Sequence, residues 1–438
     1  MRTVVVGAGP SGLFTAIALA RRGHEVFVVD RDAGPPAAGV DAWQRRGVMQ
    51  FHHAHTFRRQ VIDVLQDEIP DVLDGLTAAG ATVATSPGDM PVALLCRRMV
   101  FERVLRDTAT AQNGLTLNSG HVDTLLQERG RATGVKIDGN SLTCDVVVDA
   151  SGRSSKFAGD VRPPAEGGDC GAVYVTRQYR LRDGAGAGPV NSPIGLSFAF
   201  PGYLAIAFVH DSNTFSITFT HDGSEKRLRR LRHDDVFDDA VRAIPQLADW
   251  IEPSRSQPIS AALPGGRLYN SYRGQVGQGV LAGLVAVGDA VCTTTPLAGR
   301  GVALALMQAR ELVRAIDHNR DDIACATIQF DSWCEHNIRP WFDDHRYTDA
   351  DRMRRWSGGD IDLRRRLPSD LIVAAAEPDP ALRAIIGPYT TMDALPASLA
   401  PAEPHAHALF AQGWRPPVPA GPTRDELTAV VSRTLVAA

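Results

Sequence analysis

The segment Gly7-Ala-Gly9-Pro-Ser-Gly12 has the spacing GxGxxG, and Asp30 follows a short distance downstream. Glycines so placed permit a tight turn and let backbone N–H groups approach a pyrophosphate. The N-terminus of a following helix stabilises its negative charge. An acid about 20 residues on can accept hydrogen bonds from a ribose. This chemistry is dinucleotide binding, and Gly7, Gly9, Ser11, Gly12, Asp30 and the adjoining Arg31 are its candidate residues. The competing reading is an ordinary strand–helix turn followed by a surface Asp.

A second constellation narrows the ligand. Leu284-Val-Ala-Val-Gly288-Asp289-Ala290 is followed by Pro296-Leu-Ala-Gly299-Arg300-Gly301. Asp289 at a strand end can bond the ribityl hydroxyls of a flavin, which NAD lacks. A helix beginning near Gly301 would aim its positive end at the flavin N1–C2=O region, which becomes anionic on reduction. FAD is the cofactor that suits both constellations. A third segment, Gln50-Phe-His52-His53-Ala-His55-Thr-Phe57-Arg58, groups three histidines. His53 and His55 would share one face of a strand. No cysteine or carboxylate cluster completes a metal site, so no metal is expected. Imidazoles can donate, accept and transfer protons near neutral pH, which makes His53 and His55 the candidate catalytic residues. A polar loop packed on the nucleotide-binding unit is the plainer alternative.

The elements needed to hold these groups are legible. Thr3 to Val6 reads as a strand, Ser11 to Arg22 as a helix stopped by Gly23, and Glu25 to Val29 as a second strand. Residues 34–39 are loop. Arg98 to Ala111 has helical spacing, and Thr116–Asn118, Val135–Ile137 and Val146–Val148 read as strands. Between 170 and 275 the pattern changes. Leu196, Phe198 and Phe200 alternate, then Leu204, Ile206 and Phe208, then Phe215, Ile217 and Phe219. This predicts a three-strand antiparallel meander with these bulky residues on one face. Ser197, Ala199, Ala205, Ala207, Ser216 and Thr218 would form the other. Plain core is the expectation for most of Phe198, Phe208 and Phe215. Residues 280–287 predict a strand and Gly301–Ile316 a helix, and the remainder is mostly helical.

With 438 residues the chain can hold two or three packed units. A net charge of −4 gives no reason to expect nucleic acid or an anionic membrane. The run Val4-Val-Val6 is too short for a signal core, and no stretch suits a membrane span. The six scattered cysteines read as reduced thiols of a cytoplasmic protein.

Taken together, the GxGxxG start, the Gly288-Asp289 segment and the Pro296-x-x-Gly299-x-Gly301 loop resemble the para-hydroxybenzoate hydroxylase superfamily of flavoprotein monooxygenases. Arg97-Arg98-Met-Val-Phe101-Glu102 is similar to the family's helix start, where an Arg approaches FAD, which assigns that role to Arg98. Val146-Val-Val-Asp149-Ala-Ser-Gly152-Arg-Ser-Ser155 resembles its second dinucleotide motif, though Ser151 stands where an Asp usually precedes the glycine. Trp333, Arg339-Pro-Trp341 and the closing Gly421-Pro-Thr-Arg424 also fit. The resemblance adds Val122 and Gly152 to the cofactor set and places the histidine segment near the flavin ring.

What the resemblance implies is an α/β fold: a Rossmann-like FAD-binding domain (GR2 type) with an inserted antiparallel β-sheet substrate domain and a helical C-terminal region. The FAD domain is expected over 1–75, 90–165 and 276–320, the β-sheet domain over 76–89 and 166–275, and the helical region over 321–438. The implied activity is that of a monooxygenase, a hydroxylase or epoxidase, working through a flavin C4a-hydroperoxide on a small apolar or aromatic substrate and O2. Electrons would come from NAD(P)H or a separate flavin reductase. A flavin-dependent reductase of prenyl double bonds and a non-catalytic flavin carrier remain alternatives. A halogenase would carry Trp-x-Trp-x-Ile-Pro and a catalytic Lys, against which the chain offers only Asp249-Trp250-Ile251-Glu252-Pro253.

Overall fold

The structure is a computed structural model and describes all residues except Ala38, 156–160, Gln278 and 434–438. Its first layer is a parallel sheet in the order Leu284–Ala286, Val146–Asp149, Arg2–Val6, Glu25–Asp30, Leu115–Ser119. The inner strands are near-continuous valine runs because both faces are covered. Val5, Val28 and Val148 pack against the helices Pro10–Arg21, Arg98–Ala111 and Gly301–His318. Val4, Val6, Val29 and Val147 face a three-stranded antiparallel sheet through Leu125, Ala132 and Val135. The carboxyl ends of the parallel strands align, with Val6 opposite Asp149 and Asp149 opposite Ala286. Gly7, Asp30, Asp149 and the Gly288-Asp289 turn therefore open onto one edge, where ligands bind such sheets. The strand expected over 280–287 shortens to Leu284–Ala286, since Gly283 turns the chain at a φ of +84°.

The second layer is a seven-stranded sheet. Gly195–Phe200, Tyr203–Val209, Thr214–Asp222, Glu166–Leu181, Leu263–Tyr272 and Cys292–Thr293 follow one another, and Ser256–Pro258 pairs with Glu166–Leu181. The meander forms, but its faces differ from the expectation. Leu196 lies opposite Ala207, which lies opposite Ile217, and Phe198 lies opposite Ala205, which lies opposite Phe219. The first face thus mixes Phe with Ala205 and Ala207 and packs on Phe237, Trp250, Leu427 and Val431. Leu204, Ile206 and Phe208 stand on the opposite face beside Ser197, Ser216 and Thr218. Phe215 is core as expected, whereas Phe208 is not in that core.

The C-terminal helices Ile323–Asn337, Arg339–Trp356, Arg383–Thr390 and Glu403–Ala411 pack around the first layer. The last helix, Arg424–Arg433, instead covers the outer face of the large sheet, and Tyr203 Oη donates to the carbonyl of Pro422 at 2.6 Å. No described helix is long and apolar enough to cross a membrane.

Candidate flavin site

The three motif glycines do different work. Gly7 has a φ of +106°, and a Cβ there would stand 2.4 Å from the carbonyl oxygen of Ala150. A Cβ on Gly12 would stand 2.0 Å from the carbonyl oxygen of Gly7, so that glycine lets the helix seat against its own turn. Gly9 has an ordinary extended backbone, φ −82° and ψ −179°, and nothing lies within 4 Å of its Cβ position. Neither strain nor packing demands glycine at position 9. The open space lies at the start of helix Pro10–Arg21, where a phosphate would sit.

Behind this turn runs a chain of buried charges. Asp30 accepts from the Ala8 amide at 2.5 Å and from Arg45 at 2.7 Å. Arg45 also donates to Glu102 and to the Ala8 carbonyl, and Glu102 accepts from Arg98 Nε at 2.5 Å. Burial disfavours the Arg45 cation, but Glu102 and Asp30 outweigh it and push its pKa up. Arg45 escaped the sequence reading, and Glu102 stood in the helix-start motif without a role of its own. Arg45 lies in no motif, and its partners come from segments far away in the chain. Removing the cation would strand two buried carboxylates, a cost of about 3–5 kcal/mol. Arg45→Met is accordingly expected to lower the urea midpoint sharply, with Arg45→Lys intermediate; a midpoint within error of wild type would refute this.

The adjacent arginines diverge. Arg97 is bound by Asp211 and Asp41, whereas Arg98 turns inward between Glu102 and His55, 3.4 Å from the latter. Arg31 is exposed and lies against Gly47. Val122 is half-buried against the apolar layer of Val4, Val6 and Val29. Asp149 is fully buried and accepts from the Ser151 amide at 3.1 Å, from Ser151 Oγ at 2.6 Å and from Ser155 Oγ. Gly152 holds a φ of +83°.

Gly288 also needs a left-handed φ, +69°, and its Cβ position is 2.5 Å from Ser11 Oγ, which ties the two constellations together. Burial raises the pKa of Asp289, an effect that Arg98 and Arg153 oppose. In the following loop Pro296 is exposed, while Gly299 is left-handed at φ +62° with its Cβ position 2.9 Å from Thr56 Cβ. Glycine at 299 is thus required by the backbone itself. Gly301 opens helix Gly301–His318 with free space before it. Thr294 Oγ1, 3.9 Å from the Gly301 Cβ position, is buried without a hydrogen-bond partner.

His53 and His55 lie on an irregular segment rather than a strand, since their neighbours are taken by turns and local bonds. His55 Nδ1 meets the carbonyl of His53 at 2.9 Å, and the His53 ring packs edge-on against Tyr174 with centroids 4.5 Å apart. His210 joins them from the sheet, with Nε2 2.8 Å from Ser216 Oγ. Burial holds all three imidazoles neutral, with pKa values lowered to about 3, about 3 and about 4 respectively. Tyr174 and Leu204 share one small cluster with Leu297 of the loop. The face of the large sheet that carries Leu204, Ile206 and Thr218 therefore looks onto the loop and the histidine segment. Tyr174 and His210 were missed because sheet register, not local sequence, brings them here.

These features fit FAD: an open cradle at Gly9, a second open position at Gly301 and an unpartnered buried hydroxyl beside it. Residues 2–44 match the family described as FAD dependent oxidoreductase. Over 173 residues the chain is 28% identical to a chloroplastic zeaxanthin epoxidase of Oryza sativa subsp. japonica, covering 35% of this chain and 25% of that protein. It is 27% identical over 175 residues to the FAD-dependent monooxygenase atnJ of Arthrinium sp, covering 37% and 39% respectively. The chain thus matches well under half the length of these relatives. Among solved structures, the flavin-dependent brominase Bmp2 superposes over 94% of this chain and 100% of its own, with a TM-score of 0.68 at 14% identity. The fold is that of the FAD-dependent monooxygenases and halogenases. Within it, the match to the FAD dependent oxidoreductase family covers the first strand, the glycine turn, the first helix and the second strand.

Proposed function

We propose that this protein is an FAD-dependent monooxygenase, a hydroxylase or epoxidase, that inserts one oxygen atom of O2 into a small apolar or aromatic substrate. The observation that carries the reading is the meeting of the Pro296–Gly301 loop with a sheet face bearing Leu204, Ile206 and the Thr176–Thr218 hydroxyl pair. Bound FAD would supply the oxygen activation. The chain's own part is to seat an apolar substrate against that face, exclude water and offer neutral imidazoles as hydrogen-bond partners. His53 and His55 are the catalytic candidates on this reading. Gly7, Gly9, Ser11, Gly12, Asp30, Arg31, Arg98, Val122, Gly152, Gly288, Asp289, Pro296, Gly299 and Gly301 are assigned to FAD.

Asp149 is sequestered by Ser151 and Ser155, which supports a separate flavin reductase, rather than NAD(P)H bound directly, as the electron source. All six cysteines are free, in keeping with a cytoplasmic setting. Reaction of the reduced holoprotein under ¹⁸O2 with unsaturated and phenolic compounds should place one labelled atom in the product. Unlabelled products throughout would favour a double-bond reductase or a flavin carrier. His53→Ala and His55→Ala should each raise wasteful hydrogen peroxide release several-fold. Rapid flavin reduction by NADPH alone would remove the need for a reductase.

A further inference from the structure

Arg58 is a cation set against the back of the flavin loop. Its Nη2 donates to the carbonyl of Ala298 at 2.6 Å, and its Nε lies 3.2 Å from that oxygen and 3.3 Å from the carbonyl of Gly299. Its Nη1 donates to the carbonyl of Thr390 at 2.7 Å. Among the described residues no carboxylate makes an ion pair with it. Neighbouring charged or ionisable groups are Arg300, Tyr389 and the buried His345, and burial followed by Arg300 lowers its pKa to about 10. Arg300 differs, since it has Asp344 at 3.4 Å and stacks on Trp341 and Tyr389. Its half-buried charge is met by carbonyl dipoles rather than by a carboxylate, which leaves it able to favour an anion formed on the far side of the loop.

The loop geometry indicates where. Two successive carbonyls, of Ala298 and Gly299, point at Arg58. A trans peptide directs its N–H opposite to its C=O, so the Arg300 amide points away from Arg58, at the entrance to helix Gly301–His318. A cation bound to the carbonyl end of a peptide polarises that peptide and strengthens its N–H as a donor. The Gly299 N–H is taken by the Pro296 carbonyl at 2.9 Å, and we propose that Arg58 is a positioning residue whose charge, relayed through the Gly299 peptide to the Arg300 N–H, stabilises the anionic form of the reduced flavin. The inference rests on the flavin assignment of this loop.

The test is spectroscopic and uses the full-length holoprotein. Anaerobic reduction across a pH series reports ionisation of the reduced flavin, and equilibration with reference dyes reports its midpoint potential. Wild type should ionise at lower pH than free reduced FAD. Arg58→Gln should keep oxidised FAD bound, move that ionisation up by about one pH unit, a tenfold loss of preference for the anion, and make the potential more negative. Arg58→Lys should restore most of both. Wild-type ionisation like that of free reduced FAD, or an Arg58→Gln holoprotein with unaltered ionisation and potential, overturns the proposal and leaves the flavin assignment standing. Failure of the wild type to bind FAD overturns both. If Arg58→Gln cannot retain FAD, Arg58→Lys decides: wild-type ionisation supports the charge relay, and an upward shift as large as that expected for Gln refutes it.

Discussion

Gly9→Val is expected to leave the apoprotein folded, with a melting temperature close to wild type, while weakening FAD binding by about a hundredfold or more. The backbone of Gly9 is one any residue adopts, and no atom of the protein lies within 4 Å of the added Cβ. The folded chain therefore tolerates the side chain, and only a ligand brought against the turn does not. A pyrophosphate held off the helix N-terminus loses one or two charge-assisted hydrogen bonds of about 1.5–3 kcal/mol each, and a hundredfold loss is about 2.7 kcal/mol. Gly12→Val provides the contrast. Its Cβ would meet the Gly7 carbonyl at 2.0 Å, so that variant should fail to fold. FAD titration followed by flavin fluorescence, alongside apoprotein melting, checks both. If Gly9→Val binds FAD within about 1 kcal/mol of wild type, the phosphate lies elsewhere.

Acid should unfold this protein unusually early. His24, His53, His55, His210 and His345 are all held neutral by burial, His24 with a pKa lowered to about 4 and His345 well below its ordinary value. Their unfolded pKa is near 6.5. Above that pH both states are neutral, and these groups leave stability unchanged. Below it the unfolded chain binds protons that the folded chain cannot, so stability falls as pH falls from about 6.5 toward the folded values. Each histidine can contribute at most about 1.4 kcal/mol per pH unit. At a third of that ceiling, five still remove about 2 kcal/mol per unit from a typical total of about 5–15. Urea midpoints measured from pH 7.5 to 4.5 should be flat above about pH 7 and drop steeply below 6.5. His24 lies away from the flavin site, with both ring nitrogens lacking a hydrogen-bond partner. His24→Leu should therefore make the slope shallower without touching FAD affinity. A midpoint constant down to pH 5 would show that these imidazoles are not kept neutral.

What the sequence alone determined is the local part of the FAD half. The valine run, the glycine turn, the helix stopped at Gly23 and Asp30 are adjacent in the chain, and their signals act over a few residues. Helix Arg98–Ala111 was legible at its full length for the same reason. The candidate substrate face was not. Alternation within a strand states which residues share a face, but not which face of the next strand joins it. The two-residue turn Pro201-Gly202 pairs Phe200 with Tyr203, which sends Leu204, Ile206 and Phe208 to the side opposite Phe200. Only the tertiary structure decided that this side meets Leu297 and the histidine segment. It likewise decided that Arg45 joins Asp30 to Glu102 and that Arg58 seats against Ala298. Ion pairs and carbonyl contacts between segments distant in sequence leave no periodic trace in it; they exist only once the sheets have closed.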